Sequence, residues 1–69
     1  MPKMIGGKIK ELREERKITQ EKLAADLNLT RSSLSLYELG TRKVPSNLLY
    51  SLSQYFEVST DYFFGLKDD

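Results

Sequence analysis

Apolar residues recur along the chain at intervals of three and four positions, which is the spacing of one face of an α-helix. Ile5, Ile9 and Leu12 share such a face, so a first helix is predicted over about residues 5–16. Gly6 and Gly7 are expected to weaken the start of that helix, because glycine has a low helix propensity. Alternation of apolar and polar residues, the mark of a strand, does not persist in any segment.

Two short helices joined by a tight turn are predicted between Thr19 and Gly40. Thr19 can cap the first helix through its side-chain oxygen, and Asn28 tolerates the left-handed backbone that a helix needs in order to stop. Thr30 caps the second helix, which is predicted over Arg31–Leu39 and ends at Gly40. This arrangement, over about residues 19–40, is a helix-turn-helix.

The second of these helices combines an apolar inner face with a small polar outer face. Leu34 and Tyr37 fall on the inner face, where they are predicted to be core residues. The outer face is formed by Arg31, Ser32, Ser35 and Leu36. Because the major groove of DNA is wide enough for one α-helix, a free polar helix at this position predicts DNA binding.

The remaining segment predicts two more helices after a loop bracketed by Gly40 and Pro45. Ser46 is the expected cap of a fourth helix over about residues 47–56. Ser59 is the expected cap of a short fifth helix that ends at Gly65. The sequence therefore predicts a compact all-α bundle of five orthogonal helices, forming one domain over residues 1–69.

Composition excludes several classes of function. The chain of 69 residues contains no Cys and no His, so we expect no thiolate or imidazole metal site, no bound cofactor and no Ser-His or Cys-His catalysis. The sequence contains no glycine-rich phosphate loop, and no other feature of it suggests a small-molecule ligand. The chain has no apolar stretch typical of a signal peptide or a membrane span, which favours a cytoplasmic protein without a membrane partner.

Charge is unevenly distributed although the net charge is only +1. Residues 1–22 carry seven Lys or Arg and four Glu, whereas residues 57–69 carry four acidic residues and one Lys. This uneven distribution of charge is compatible with one side of the protein facing phosphate. The charged helix faces of ordinary solvated proteins give similar patterns.

Several separate stretches resemble the Cro/phage-repressor family of helix-turn-helix regulators, also called the xenobiotic-response-element family. They are, in order, IGGKIKELREERKITQEKLA, NLTRSSLSLYELG, a Pro-Ser pair and YFEVSTDYFFGL, which together cover about residues 5–66. The resemblance implies a lambda-repressor-like DNA-binding domain. It also implies that the protein is a transcriptional regulator that binds double-stranded DNA as a homodimer on a near-palindromic operator. We expect it to act as a repressor.

Nine residues match DNA-contacting positions of that family: Gln20, Arg31, Ser32, Ser33, Ser35, Leu36, Thr41, Arg42 and Lys43. The resemblance implies that Gln20 contacts a phosphate and braces the recognition helix, and that Arg31 reads guanine. Leu36 lies one turn further along, where it reaches a thymine methyl, a sugar or a neighbouring side chain. The loop residues at 41–43 are implied to lie along the DNA backbone.

Two further roles are implied by the family. Arg13 and Glu38 resemble a structural pair that joins the first helix to the end of the recognition helix. The aromatic C-terminal segment, through Tyr55, Tyr62, Phe63 and Phe64, is a candidate dimer interface, with core packing as the alternative. Two other classes of protein stay open: an antitoxin that binds a partner protein as well as its own promoter, and a helical adaptor without DNA affinity.

Overall fold

Five α-helices and no strand are formed by residues 5–64, the part of the chain that this computed structural model describes. Their bounds are α1 Ile5–Glu15, α2 Gln20–Asp26, α3 Arg31–Leu39, α4 Ser46–Phe56 and α5 Thr60–Phe63. The predicted all-α class and helix order are confirmed, with bounds within one or two residues of those expected. The predicted stop at Gly65 lies outside the described residues.

Most of the predicted helix ends are confirmed by their hydrogen bonds. The Thr19 side chain accepts from the Lys22 amide at 3.0 Å, and the Thr30 side chain accepts from the Ser33 amide at 3.1 Å. Asn28 has a φ of 59° and Gly40 a φ of 81°, both left-handed as expected. These local interactions begin and end the helix-turn-helix where the sequence predicts.

The predicted cap of α4 is wrong. Ser46 is the first helical residue, and Pro45 occupies the capping position with an extended backbone and no side-chain cap bond. The reason is that proline already has the φ that a chain needs on entering a helix, and its carbonyl oxygen accepts from the Leu49 amide at 2.9 Å.

The core is formed where α1 packs on α3 and α5, α2 packs on α3, and α4 packs on α5. Its fully buried side chains come from every helix: Ile9, Leu23, Leu34, Leu52, Phe56 and Phe63. Packing on α1 and α2 holds α3 by its inner face. The opposite face of α3 is therefore left for contact with another molecule.

Two of the four residues predicted as a dimer interface belong to this core. Phe63 is 0% exposed and Tyr62 is 7% exposed, which removes both from the predicted surface patch. They are buried because α5 folds back against α1, where the Lys8 ammonium lies 4.9 Å from the centre of the Tyr62 ring. Tyr55 is half-buried and Phe64 is 52% exposed, so only these two remain accessible to a partner.

Gly6 also has a role in tertiary packing that the sequence did not predict. A β-carbon built at this position would lie 2.0 Å from the Tyr37 carbonyl oxygen and 2.7 Å from the Glu38 carbonyl oxygen. The absence of a side chain therefore allows α1 to approach the backbone of α3 directly.

The C-terminal end of α2 is linked to α4 by Asp26. Its carboxylate accepts from the Tyr55 hydroxyl at 2.5 Å and from the Lys22 ammonium at 3.0 Å. The Tyr55 hydrogen bond, and then that of Lys22, lowers the pKa of Asp26 below its ordinary value. The same carboxylate raises the pKa of the Tyr55 hydroxyl.

We expect Tyr55→Phe to raise the pKa of Asp26 toward its ordinary value, because the largest cause of the lowering is removed. In the wild-type protein the Asp26 contribution to stability is present above its unfolded pKa of about 3.9 and is lost as pH falls through the lower folded pKa. The Tyr55 contribution is present below about pH 10 and is lost as pH rises through its raised folded pKa.

Carboxyl chemical shifts followed by NMR during an acid titration measure the pKa of Asp26 in both proteins. Tyr50→Phe is the matched control, since Tyr50 lies on the same helix and is 63% exposed. An unchanged Asp26 titration in Tyr55→Phe would contradict the assignment.

Candidate nucleic-acid interface

A concave surface lies between the start of α2 and the exposed face of α3. It is lined by five of the nine residues predicted to bind DNA: Gln20, Arg31, Ser32, Ser35 and Leu36. Arg31 and Ser32 are exposed, and the other three are half-buried. The surface is polar apart from Leu36, and it presents side chains that can donate hydrogen bonds to base edges or phosphates.

Arg31 is oriented by Gln20. Its Nε donates to the Gln20 side-chain oxygen at 3.3 Å, across the turn that separates α2 from α3. This bond uses the inner nitrogen of the guanidinium group and leaves the terminal nitrogens for a ligand. A guanidinium fork presented in this way has the geometry for two hydrogen bonds to the O6 and N7 atoms of guanine.

Gln20 is itself held by Glu38. Its amide nitrogen donates to Glu38 Oε1 at 3.0 Å, so the same side chain contacts both the end and the beginning of α3. Gln20 thus braces α3 through two hydrogen bonds, one that it donates to Glu38 and one that it accepts from Arg31.

Glu38 and Arg13 form the pair implied by the family. Arg13 Nε donates to Glu38 Oε2 at 2.7 Å, and a terminal nitrogen donates to Oε1 at 3.2 Å. The Arg13 side chain is only 11% exposed, and the Glu38 side chain is only 3% exposed. The hydrogen bond to Glu38 raises the pKa of Arg13, although burial acts in the opposite direction.

Arg13 also fixes the connection between α1 and α2. Another of its terminal nitrogens donates to the Ile18 carbonyl oxygen at 2.9 Å. A continuous chain of contacts therefore runs from α1 through Glu38 and Gln20 to Arg31 on the concave surface.

A second group of polar residues lies where the loop after α3 folds back on that helix. Arg42 donates to the Ser33 hydroxyl at 3.2 Å, and its guanidinium carbon lies 5.7 Å from the centre of the Tyr37 ring. The Thr41 hydroxyl and amide both lie 3.2 Å from the Leu36 carbonyl oxygen. The loop thus places Arg42 beside the first turn of α3, a position suited to contact with the DNA backbone.

Lys43 is separated from the concave surface. It is exposed, and with Arg42 it lines a shallow groove between the loop and the start of α1, next to Tyr37 and Gly6. The structure therefore brings five predicted residues into one surface, places Ser33, Thr41 and Arg42 beside it, and leaves Lys43 at its edge.

Two contributions to this site escaped the sequence analysis. The ring of Tyr37 lies beneath Arg42, and the Thr30 hydroxyl donates to the Ser33 hydroxyl at 3.0 Å in addition to capping α3. A capping threonine three residues before a serine was a usable signal for the second contact. No local pattern indicated the first, because it depends on how the loop folds back.

No helix within residues 5–64 is both long enough and apolar enough to cross a bilayer. The same part of the chain holds no cluster of acidic residues arranged to bind a metal ion.

Comparison with known proteins places these features in a family. The helix-turn-helix domain family matches residues 6–69. The chain is 37% identical over 62 residues to the uncharacterized HTH-type transcriptional regulator YobD of Bacillus subtilis (strain 168), covering 90% of this chain and 55% of YobD. It therefore spans about half the length of that relative.

Two further similarities concern proteins with described partners or roles. The crystal structure of SinR, the master regulator for biofilm formation, in complex with DNA superposes with a TM-score of 0.78 at 31% identity, covering 88% of this chain and 98% of that one. The antitoxin PezA of Streptococcus pneumoniae serotype 4 is 43% identical over 56 residues, which is 81% of this chain but 35% of PezA. The helix arrangement, the surface on α3 and these similarities agree: the chain belongs to the helix-turn-helix domain family.

Proposed function

We propose that this protein is a transcriptional regulator that binds a specific sequence of double-stranded DNA by placing α3 in the major groove. The observation that carries the proposal is the Arg31 side chain, which Gln20 holds by its inner nitrogen with the guanidinium fork free. The similarity to SinR, which was crystallised with DNA, supports the same conclusion.

The residues divide into two groups by what they contact on DNA. Arg31, Ser32, Ser35 and Leu36 face base edges, where sequence is read. Gln20, Ser33, Thr41, Arg42 and Lys43 face phosphates, which set position and affinity without reading sequence. Binding over a promoter would exclude RNA polymerase, so the regulator acts as a repressor.

The regulator acts as a homodimer on a nearly palindromic operator. In such a complex the two α3 helices enter successive turns of the major groove, about 34 Å apart. Of the four aromatic residues expected at the interface, Phe64, at the end of α5, and the half-buried Tyr55 are the ones accessible for a partner contact. The interface is therefore smaller in this segment than the four aromatic residues suggested.

Selection of bound duplexes from a random pool tests the proposal, since the recovered sites give the half-site sequence and spacing together. Arg31→Ala is expected to lose about 1–3 kcal/mol of discrimination against the wrong base, because it loses a two-bond contact with guanine. Lys43→Ala is expected to weaken binding to all duplexes by a similar factor and to reduce the salt dependence. Fluorescence anisotropy on cognate and scrambled duplexes measures both quantities.

Lys43→Ala serves as the control for Arg31→Ala, because each variant removes one exposed positive charge and Lys43 lies outside the concave surface that Arg31 lines. If Arg31→Ala keeps the wild-type ratio of cognate to scrambled affinity, Arg31 does not read sequence.

The similarity to PezA supports a second candidate, an antitoxin that binds a partner protein. It covers about one third of PezA, so the shared part is the helix-turn-helix segment rather than the whole antitoxin. Purification of the protein from its native host distinguishes the two, since an antitoxin would carry a stoichiometric second protein.

A further inference from the structure

Leu36 is an apolar residue on the concave surface that does not belong to the hydrophobic core. It is half-buried, and its side chain lines the recess together with Arg31 and Ser32. Within residues 5–64 the partly buried apolar residues that pack against the core are others: Ile5, Ile18, Leu27, Leu29, Tyr37, Val44, Tyr55 and Val58. Core packing therefore does not explain a leucine at position 36.

The position of Leu36 is fixed by the loop that follows α3. Its carbonyl oxygen accepts from the Thr41 amide at 3.2 Å, from the Thr41 hydroxyl at 3.2 Å and from the Arg42 amide at 3.3 Å. These bonds stabilise the last turn of α3 beneath the side chain. Leu36 therefore lies on a turn whose backbone is fixed, and its half-buried side chain offers an apolar contact among polar neighbours.

The chemistry of the major groove limits what that contact can recognise. Base edges there present hydrogen-bond donors and acceptors, and the apolar group among them is the C5-methyl of thymine. Cytosine methylated at C5 carries the same group at the same place on its ring. An apolar side chain facing the bases therefore gains most from a methylated pyrimidine.

We infer that Leu36 determines specificity by binding the C5-methyl group of a pyrimidine in each operator half-site. The protein then distinguishes thymine from uracil, and 5-methylcytosine from cytosine, at that base pair. Methylation of an operator cytosine at this position strengthens binding. The inference rests on the proposed function, and it adds a methyl-binding subsite to it.

The helix geometry predicts where the methyl group lies relative to guanine. Leu36 follows Arg31 by five residues, a rise of about 7.5 Å along α3. The methylated pyrimidine is therefore expected in the same half-site as the guanine bound by Arg31, at a neighbouring position of the major groove.

The test uses the full chain and the operator recovered from the random pool. Each thymine is replaced in turn by deoxyuridine, which removes the methyl group and changes no hydrogen-bonding atom. We expect one position in each half-site where the substitution weakens binding about fourfold, the effect of burying one such group. At that position 5-methylcytosine·guanine should bind more tightly than cytosine·guanine by a similar factor.

Variants at position 36 connect the effect to this residue. Leu36→Ala is expected to bind thymine and uracil operators equally, while Leu36→Met keeps an apolar contact and retains the preference. Leu39→Ala is the matched control, because Leu39 lies on the same helix and is 69% exposed but does not line the concave surface. Thermal melting followed by circular dichroism verifies that each variant folds.

The outcomes separate the two proposals. A pool that yields no preferred sequence contradicts the proposed function itself. Sequence-selective binding without any uracil-sensitive position, a selected half-site that lacks thymine, or sensitivity that persists in Leu36→Ala overturns the inference about Leu36 and leaves the proposed function intact.

Discussion

Replacement of Glu38 by alanine is expected to lower the free energy of unfolding by about 3–5 kcal/mol, which is the usual cost of removing one partner of a buried ion pair. The Glu38 side chain is 3% exposed, and its carboxylate accepts hydrogen bonds from both Arg13 and Gln20. The variant leaves the Arg13 guanidinium largely buried without its counter-charge. It also releases Gln20, which orients Arg31.

Urea denaturation at neutral pH, followed by circular dichroism, measures the effect. Because a chain of this length is stable by only about 3–10 kcal/mol, the midpoint of unfolding should fall by at least about a third of the wild-type value. Glu15→Ala, which removes an exposed glutamate from α1, is the matched control and should change stability by less than about 0.5 kcal/mol.

If Glu38→Ala is too unstable to study, the stability of Glu38→Gln provides a second measurement of what the buried pair contributes. This variant keeps an oxygen that can accept from Arg13 but removes the charge, so a smaller loss of about 1–3 kcal/mol is expected. Equal stabilities for Glu38→Ala and Glu15→Ala would show that the buried pair does not stabilise the fold.

The pair also explains how the scaffold is connected to the concave surface. Arg13 on α1 holds Glu38, Glu38 holds Gln20, and the Gln20 amide then fixes the Arg31 side chain. A side chain positioned before it meets DNA loses less conformational freedom on binding. Stability and the orientation of the Arg31 side chain therefore depend on the same chain of hydrogen bonds.

The helices and most of their ends were predictable because their causes are local. Thr19, Thr30 and Ser59 each accept a hydrogen bond from an amide two or three residues ahead, and such contacts depend only on the nearby sequence. The exception was α4, where Ser46 was the expected cap but Pro45 stands at the capping position. The fixed φ of proline lets the chain enter the helix one residue earlier without a side-chain cap bond.

The accessible part of the aromatic segment could not be predicted from spacing. Tyr62, Phe63 and Phe64 are consecutive in the sequence, yet the first two are buried and the third is 52% exposed. Their separation depends on how the four-residue helix α5 meets α1, a contact between distant parts of the chain. The polar residues of the concave surface were easier to predict, because all but Gln20 lie on one helix.

Gly6→Ala is expected to destabilise the protein by about 1–3 kcal/mol or more, the usual cost of overpacking. The new β-carbon would lie 2.0 Å from the Tyr37 carbonyl oxygen and 2.9 Å from the Glu38 carbonyl carbon. Both are backbone atoms, so relief requires α1 to move away from α3 rather than a side chain to rotate. Helix propensity alone predicts the opposite sign, since alanine is favoured over glycine by about 1 kcal/mol.

Gly7→Ala is the matched control, because it tests the gain in helix propensity at the neighbouring position. Gly7 is the next residue of α1, is half-buried and has no left-handed backbone, so alanine should stabilise the protein there by about 0.5–1 kcal/mol. Chemical denaturation of the two variants should therefore move the unfolding midpoint in opposite directions. A midpoint that rises in Gly6→Ala would mean that α1 and α3 do not approach each other through this glycine.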